Sequence, residues 1–277
     1  MKIRNFFRSL VYSNIFISLG MSSIVLASVL IMSMPADIFI FLSPFLVTFS
    51  MYTLNRRTDI EEDMLNDRPR TNFIRRYKKH LPVLIVVSYI AAVLPVLIIN
   101  ATAASLLLVP LLFGIFYTIK IFPFSFSRLK EIPVVKNMIV ALNWAILGVL
   151  FPVIYTNSSF SFIFVYMFIF IFIRVLIGAA FFDIRDVAGD MRERIRTIPI
   201  ILGKQKTLKL LVILNTVSLF MIFFSPTRLS LLLVLPVLYG YIYLFLYKKI
   251  EIRSLCDYIV DGEYILIGLI IALGFFF

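Results

Sequence analysis

The chain has 277 residues, of which 61% are hydrophobic, and its formal net charge at pH 7 is +12. Soluble domains average about 45–50% apolar residues, so a water-soluble fold of this length could not bury so much Phe, Ile and Leu. The composition therefore excludes a soluble enzyme and argues against nucleic-acid binding, because no soluble domain is present to carry a basic face. The single cysteine, Cys256, excludes an internal disulfide.

Several long apolar segments predict transmembrane helices, each of which takes about 20 largely apolar residues. In chain order these segments are roughly 10–32, 37–54, 82–99, 102–119, 134–156, 159–182, 207–224, 229–247 and 258–277. We therefore predict an all-α membrane protein, with residues 1–277 forming a single domain of nine transmembrane helices in a bundle. One polar cluster follows the second segment and another follows the sixth, which predicts two four-helix halves plus a ninth helix.

The basic residues predict how the chain is oriented in the membrane. Nearly all Lys and Arg residues lie in the N-terminal segment and in segments 55–81, 120–136, 183–209 and 248–253. With nine spans, all five segments fall on one side, which the positive-inside rule identifies as the cytoplasm. We expect a multi-pass protein of the cell membrane, with the N-terminus and the polar loops cytoplasmic and the C-terminus outside.

The first polar cluster follows the second predicted span. If that helix continues beyond the membrane surface, Asn55, Asp59 and Asp63 lie at positions i, i+4 and i+8 on one helical face. Like charges with this spacing repel each other unless a cation lies between them. The cluster therefore predicts a cation site, although a solvated acidic loop would give the same pattern.

The second cluster, Asp183, Asp186 and Asp190, has the spacing i, i+3 and i+7, again on one helical face. Oxygen ligands alone suit a hard cation such as Mg²⁺, which also shares phosphate oxygens. Zinc is disfavoured because the only histidine is His80. Two acidic faces with Mg²⁺ between them would bind and neutralise a diphosphate group.

These residues resemble the UbiA superfamily of intramembrane prenyltransferases. That family carries Asn-x3-Asp-x3-Asp after its second helix and Asp-x3-Asp, often with an earlier Asp, after its sixth. The residues that match are Asn55, Asp59 and Asp63, then Asp183, Asp186 and Asp190, and the flanking residues Asn66, Arg68, Pro69, Arg196-Thr197-Ile198-Pro199 and Leu202-Gly203. Arg56 departs from the family pattern, because many members have Asp directly after the first Asn.

The resemblance implies a reaction in which a prenyl group moves from an allylic isoprenyl diphosphate to an aromatic or glycerol-phosphate lipid acceptor and diphosphate is released. It implies Mg²⁺ held by Asp59, Asp63, Asp186 and Asp190, with Asn55 and Asp183 completing the metal sites. For substrate binding we predict Arg68, Lys120 and Lys136 at phosphate oxygens, Tyr52 and Tyr117 beside the prenyl cation, and Asn14 in the acceptor pocket. The apolar prenyl tail is expected to lie between helices, among membrane lipids.

Two other interpretations fit parts of the sequence. A transporter of an anionic or lipid substrate would also have many spans and an internal repeat, but transport sites usually lie near the bilayer midplane at broken helices. A phosphoribose-type diphosphate could replace the prenyl donor. Arg174, an ionisable residue within a predicted span, lies off the face of Asp183, so we predict for it a structural partner inside the bundle.

Overall fold

The computed structural model describes residues 2–118, 132, 134–192 and 195–276, and every regular element in these ranges is a helix. In chain order the helices are α1 Lys2–Tyr12, α2 Ile15–Ile31, α3 Ile38–Thr58, α4 Ile60–Asn66, α5 Arg68–Tyr77, α6 Leu81–Ile99, α7 Ala101–Thr118, α8 Val135–Tyr155, α9 Phe162–Arg192, α10 Ile198–Leu202, α11 Lys204–Phe224, α12 Arg228–Leu246 and α13 Ile252–Phe276. Helix α8 contains a π-helical segment at Ile146–Leu150, and α13 contains one at Leu255–Val260.

Seven of the helices in the described ranges are long and apolar enough to cross a membrane: α3, α6, α8, α9, α11, α12 and α13. Helices α1 and α2 form an eighth candidate if counted as one span, although the chain bends by 75° between them. The fully described apolar part of α7, Ala101–Gly114, is shorter than a span. The all-α membrane class is thus confirmed, whereas the described residues do not support the count of nine.

The break in the first predicted span occurs at Asn14. Its backbone has φ 66°, a left-handed conformation that interrupts an α-helix and that Asn tolerates better than most residues. The Asn14 amide donates a hydrogen bond to Thr53 Oγ1 (3.2 Å) and its Oδ1 accepts one from Arg70 Nη2 (2.7 Å). Within the predicted span 10–32 the regular helix α2 therefore begins only at Ile15, and hydrogen bonds to distant residues stabilise the interruption before it.

Polar side chains in the short turns between spans cap the helices that follow them. The Asp37 side chain caps α3 by accepting hydrogen bonds from the amides of Phe39 (2.8 Å) and Ile40 (3.1 Å). At the same end of the bundle, Asn100 Oδ1 accepts a hydrogen bond from the Ala103 amide (3.0 Å) at the start of α7. These caps hold the end of the bundle opposite to the two acidic clusters.

The last helix closes the bundle by packing along α2. Gly268 makes this possible, because a Cβ there would overlap the backbone of Ser23. Gly20 on the same interface is less crowded, since a Cβ there would lie 3.0 Å from the Tyr264 Cβ. Large apolar side chains such as Ile98 and Phe223 are exposed on the outside of the bundle, where lipid replaces water as the solvent. The division into two four-helix halves stays a prediction.

Candidate active site

The first acidic cluster keeps helical spacing across a junction between two helices. Helix α3 ends at Thr58 and α4 begins at Ile60, but the Asp59 amide still bonds to Asn55 O (2.9 Å) and the Asp63 amide to Asp59 O (2.8 Å). The chain therefore continues with a helical repeat past the end of α3. Asn55, Asp59 and Asp63 all line the same cavity.

The second acidic cluster lies in the last turns of α9. This helix has 31 residues, a length of about 46 Å at 1.5 Å per residue, so it extends beyond a hydrocarbon core about 30 Å thick. Asp183 and Asp190 are buried, and Asp183 and Asp186 line the cavity that receives the first cluster. The long helix thus carries its carboxylates to the level of the α3–α4 junction.

One cavity joins the two clusters, and we call it the polar cavity. It contains about 930 Å³ of space, partly open to solvent, between α3, α4, the start of α8, the end of α9 and α13. Asn66 at the end of α4 holds the two walls together, because its Oδ1 accepts a hydrogen bond from the Gly189 amide of α9 (3.0 Å). A side chain at position 189 would collide with the Asn66 amide. The clusters therefore lie on the same side of the bundle, facing each other.

Basic side chains pair with most of the carboxylates. Arg56 Nη1 lies 3.0 Å from both Asp63 oxygens, and Arg185 binds both oxygens of Asp186 (2.7 and 2.8 Å). Lys136 Nζ bridges Asp183 (2.9 Å) and Asp190 (3.2 Å). The pairs compensate charges that would be unfavourable if buried alone. Lys136, a predicted phosphate ligand, also lines the polar cavity.

The polar cavity offers oxygen ligands of the kind that Mg²⁺ prefers. Among the described residues, no three His, Cys, Asp or Glu side chains lie close enough together to form a complete metal site. Mg²⁺ usually binds one or two carboxylates and completes its shell with water and substrate phosphates, so a complete protein cage is not required. Asn137 lines the cavity, and its buried Oδ1 has no hydrogen-bond partner among the described residues. The available ligands therefore fit Mg²⁺ bound together with a phosphorylated substrate.

A second cavity, the apolar cavity, adjoins the polar one and contains about 700 Å³ of space, part of which is open to the surroundings. Residues of α2, α3, α7 and α8 line it, and Tyr52, Asn55 and Val140 belong to both cavity walls. The Tyr52 hydroxyl accepts a hydrogen bond from Trp144 Nε1 (3.1 Å), which fixes the ring at the junction. A ligand with an anionic head and an apolar tail matches this pair of cavities.

The other predicted substrate-binding residues have different positions. Arg68 is exposed and does not line the polar cavity, which receives Arg70 instead. Asn14 is buried beside Arg70 and lines neither cavity. Tyr117 lies in α7 at a position whose side chain is not described, and Lys120 lies outside the described residues.

Sequence reasoning missed several residues of the polar cavity. Arg56, Arg70 and Arg185 line it but were assigned only to the basic cytoplasmic segments. Burial lowers the pKa of the Arg70 guanidinium to about 10, which still leaves it charged at neutral pH. Asp261 also lines the cavity, and one signal could have identified it, because it is an ionisable residue within the predicted span 258–277.

Arg174 lies away from the cavity, as the sequence predicts. Its guanidinium forms an ion pair with Glu263 of α13 (2.6 Å) and a hydrogen bond with Asn215 of α11. All three side chains are buried. The structure thus identifies the partner that the sequence could not name.

Comparisons with known proteins agree with this geometry. A structure of a UbiA homolog from Archaeoglobus fulgidus bound to GPP and Mg²⁺ matches with a TM-score of 0.67 and 15% identity, covering 95% of this chain and 99% of that one. The apo structure of a UbiA homolog from Aeropyrum pernix K1 matches with a TM-score of 0.65 and 12% identity, covering 93% and 96%. A structure reported for digeranylgeranylglyceryl phosphate synthase matches with a TM-score of 0.54 and 19% identity, covering 99% and 98%.

These identities are low, so the structural matches establish the fold alone. No curated protein sequence matches the chain significantly. The model of the UbiA prenyltransferase family, however, matches residues 14–255, which is most of the chain and includes both acidic clusters. The predicted enzyme class, a membrane prenyltransferase, is thereby confirmed, and the chain belongs to the UbiA prenyltransferase family.

Proposed function

We propose that the protein transfers a prenyl group from an allylic isoprenyl diphosphate to an aromatic or lipid acceptor, releases diphosphate and requires Mg²⁺. The observation that carries this proposal is the junction of the two cavities, where acidic and basic groups surround the head-group space and apolar side chains surround the tail space. The Archaeoglobus relative bound to GPP and Mg²⁺ supports the same assignment.

In this proposal Asp59, Asp63, Asp186 and Asp190 hold Mg²⁺, with Asn55 and Asp183 completing or orienting the ligands. When bound, the metal neutralises the negative charge that develops on the departing diphosphate. Asp190 acts from behind the cavity wall, where Lys136 joins it to Asp183. The family pattern supports all of these roles, and the shared cavity supports them for each of the six residues except Asp190.

The basic side chains of the cavity bind the phosphate oxygens. Arg56, Lys136 and Arg185 each pair with a carboxylate in this structure, and each lines the polar cavity. We infer that donor binding would redirect part of their hydrogen bonding from carboxylate to phosphate, and the carboxylates released in this way would hold Mg²⁺. Arg70 rather than Arg68 joins them, because Arg70 is in the cavity wall.

The apolar cavity holds the prenyl tail and keeps water away from the reacting carbon. Tyr52 lies where the two cavities meet, and this position supports our proposal that its ring stabilises the carbon that gains positive charge as diphosphate leaves. Exclusion of water favours attack by the acceptor over hydrolysis. Tyr117 and Lys120 stay predictions, because their side chains are not described.

The orientation in the membrane follows from the charge pattern. We propose that the polar cavity opens to the cytoplasm with the N-terminus on the same side, and that nine spans place the C-terminus outside. A reporter fused to the C-terminus that is active only in the cytoplasm tests this topology. Activity of that reporter would require an even number of spans.

The decisive experiment measures transfer by the purified protein in liposomes. Radiolabelled geranylgeranyl diphosphate, Mg²⁺ and two acceptors, 4-hydroxybenzoate and geranylgeranylglyceryl phosphate, are supplied, and released diphosphate and prenylated products are quantified. Asp63→Ala and Asp190→Ala should abolish both signals. Glu61→Ala is the matched control, because Glu61 is an exposed carboxylate on the same short helix as Asp63 and does not line the cavity. Uptake of the donor without cleavage would contradict the proposal and favour a transporter.

A further inference from the structure

The last helix carries two carboxylates that belong to neither acidic cluster, Asp261 in the wall of the polar cavity and Asp257 behind that wall. Asp257 and Asp261 lie four residues apart, one helical turn, at the π-helical segment of α13. Asp257 is paired, because its Oδ1 lies 3.3 Å from Arg185 and 3.9 Å from Arg70. Its role is accounted for by holding these two arginines in the cavity wall.

Asp261 differs from its neighbour. Asp261 is only 7% exposed and lines the polar cavity, yet its carboxylate forms no hydrogen bond or ion pair with any described residue. A nearly buried carboxylate without a partner is unfavourable for folding. Stability therefore does not explain why Asp261 is there, whereas a ligand in the cavity would.

The surroundings of Asp261 suit an acceptor better than the diphosphate. Tyr264, three residues later, lies on the same side of α13 and also lines the cavity. Its ring packs against Trp144 (centroids 4.6 Å apart), and Ile17 of α2 adds an aliphatic surface. An unpaired carboxylate would repel a diphosphate anion, but it can accept a hydrogen bond or a proton from a hydroxyl whose apolar body lies against these rings.

We propose that Asp261 is the catalytic base that accepts the proton lost by the acceptor. This inference rests on the proposed prenyl transfer and adds the residue that completes it. The bond between the prenyl C1 and the diphosphate oxygen breaks, and its electron pair leaves with diphosphate. A new bond forms between C1 and the acceptor oxygen or aromatic carbon, whose proton passes to the Asp261 carboxylate and then to solvent through the cavity opening.

The test compares Asp261→Asn with Asp257→Asn, two isosteric changes one turn apart on the same helix. Single-turnover transfer is measured with geranylgeranyl diphosphate, Mg²⁺ and whichever of 4-hydroxybenzoate and geranylgeranylglyceryl phosphate the wild type prenylates. For Asp261→Asn we expect transfer to slow by about 10²- to 10⁴-fold, the usual contribution of a general base, with donor affinity changed by less than about threefold. Asp261→Glu should recover part of the rate.

Asp257→Asn should show the opposite pattern. Loss of the partner of Arg70 and Arg185 should weaken donor binding, whereas the transfer rate at saturating donor should change less than in Asp261→Asn. If Asp261→Asn transfers at the wild-type rate, or loses donor affinity as Asp63→Ala does, the assignment of Asp261 as base is wrong. A wild type that releases diphosphate but prenylates neither probe also overturns it. A wild type that neither releases diphosphate nor forms product instead contradicts the proposed function itself.

A second measurement uses the wild type and so does not depend on the folding of a variant. Dicyclohexylcarbodiimide, an apolar carboxylate reagent, should label Asp261 in preference to the ion-paired Asp257, with the sites mapped by mass spectrometry. The acceptor probe that supports transfer should slow the labelling of Asp261 by at least about tenfold when it saturates the site. Equal labelling of the two aspartates, or no protection by the acceptor, would contradict the proposal.

Discussion

Helices α9 and α13 contribute charged residues to two buried clusters, and only one of these clusters opens on a cavity. Deep in the bundle, Arg174 of α9 pairs with Glu263 of α13, and Asn215 of α11 accepts a further hydrogen bond. None of these three residues lines the polar or the apolar cavity. On the same two helices, Asp186 and Asp261 face the polar cavity. We call Arg174, Glu263 and Asn215 the closed cluster, and the charged residues that line the polar cavity the open cluster. The same two helices thus contribute to both.

Packing explains why the closed cluster has no room for a ligand. Helix α12 approaches it at Gly240, where a Cβ would collide with the Arg174 guanidinium and the Asn215 amide. In the polar cavity, by contrast, an unpaired carboxylate and about 930 Å³ of space occur together. The comparison shows that a buried charge in this bundle indicates function when it faces space, and indicates structure when its partners enclose it.

The largest effect on stability should come from removing one partner of the ion pair in the closed cluster. Arg174→Ala leaves the Glu263 carboxylate buried without its cation, and loss of one partner of such a pair destabilises a protein by about 3–5 kcal/mol. Unfolding in detergent, followed by circular dichroism, measures the change. The control is Arg192→Ala, which removes an exposed arginine at the end of the same helix. Equal stability of the two variants would show that the buried pair has no structural role.

Breaking the open cluster should remove activity rather than stability. Asp186→Asn keeps the shape of the side chain but removes the charge needed for a metal ligand, so transfer should fall by at least about 10²-fold. In this variant Arg185 loses the charge of its partner, but Arg185 lines the polar cavity, which admits solvent. The free energy of unfolding should therefore change by less than in Arg174→Ala. If Asp186→Asn unfolds as readily as Arg174→Ala, the main role of Asp186 is to stabilise the fold.

The contact between the two walls of the open cluster can be tested by Gly189→Ala. The added methyl group collides with the Asn66 amide, so this side chain must turn away and its hydrogen bond to the backbone amide of residue 189, which joins α4 to α9, is lost. Small misplacements of catalytic groups have large effects, and we expect transfer to fall by about tenfold. Gly262→Ala is the matched control, since a Cβ there would make only ordinary contacts. Wild-type activity of Gly189→Ala would contradict a role for this contact.

The smallest effect is expected when both charges of the closed cluster are removed together. Arg174→Met combined with Glu263→Leu replaces an ion pair with apolar side chains, which is often neutral for stability, so the double variant should lie within about 1 kcal/mol of the wild type. Arg174→Met alone should be clearly less stable. Transfer by the double variant should stay close to the wild-type rate, because the polar cavity is unchanged. Loss of transfer in a well-folded double variant would show that the two clusters are coupled.

Local features of the sequence were sufficient for the class of protein and for most of the acidic site. Composition requires the bilayer as solvent, and hydropathy alone predicts the helices. Because the helical repeat is a local property, the spacing of Asn55, Asp59 and Asp63 correctly places them on one side of the chain, facing one cavity. On α9 the same reasoning holds for Asp183 and Asp186, whereas Asp190 lies behind the cavity wall. The family resemblance rests on these same residues, and the family model confirms it.

Only the tertiary structure decided which charges meet. Arg174 and Glu263 are 89 residues apart, and Asn14 is held by Arg70 from 56 residues away, so neither pairing follows from a local repeat. The choice of Arg70 over Arg68 depends on how α5 packs, and the position of Asp261 in the cavity wall depends on how α13 closes against α2. The sequence therefore determines which face each helix presents, whereas the packing of distant helices determines what that face contacts.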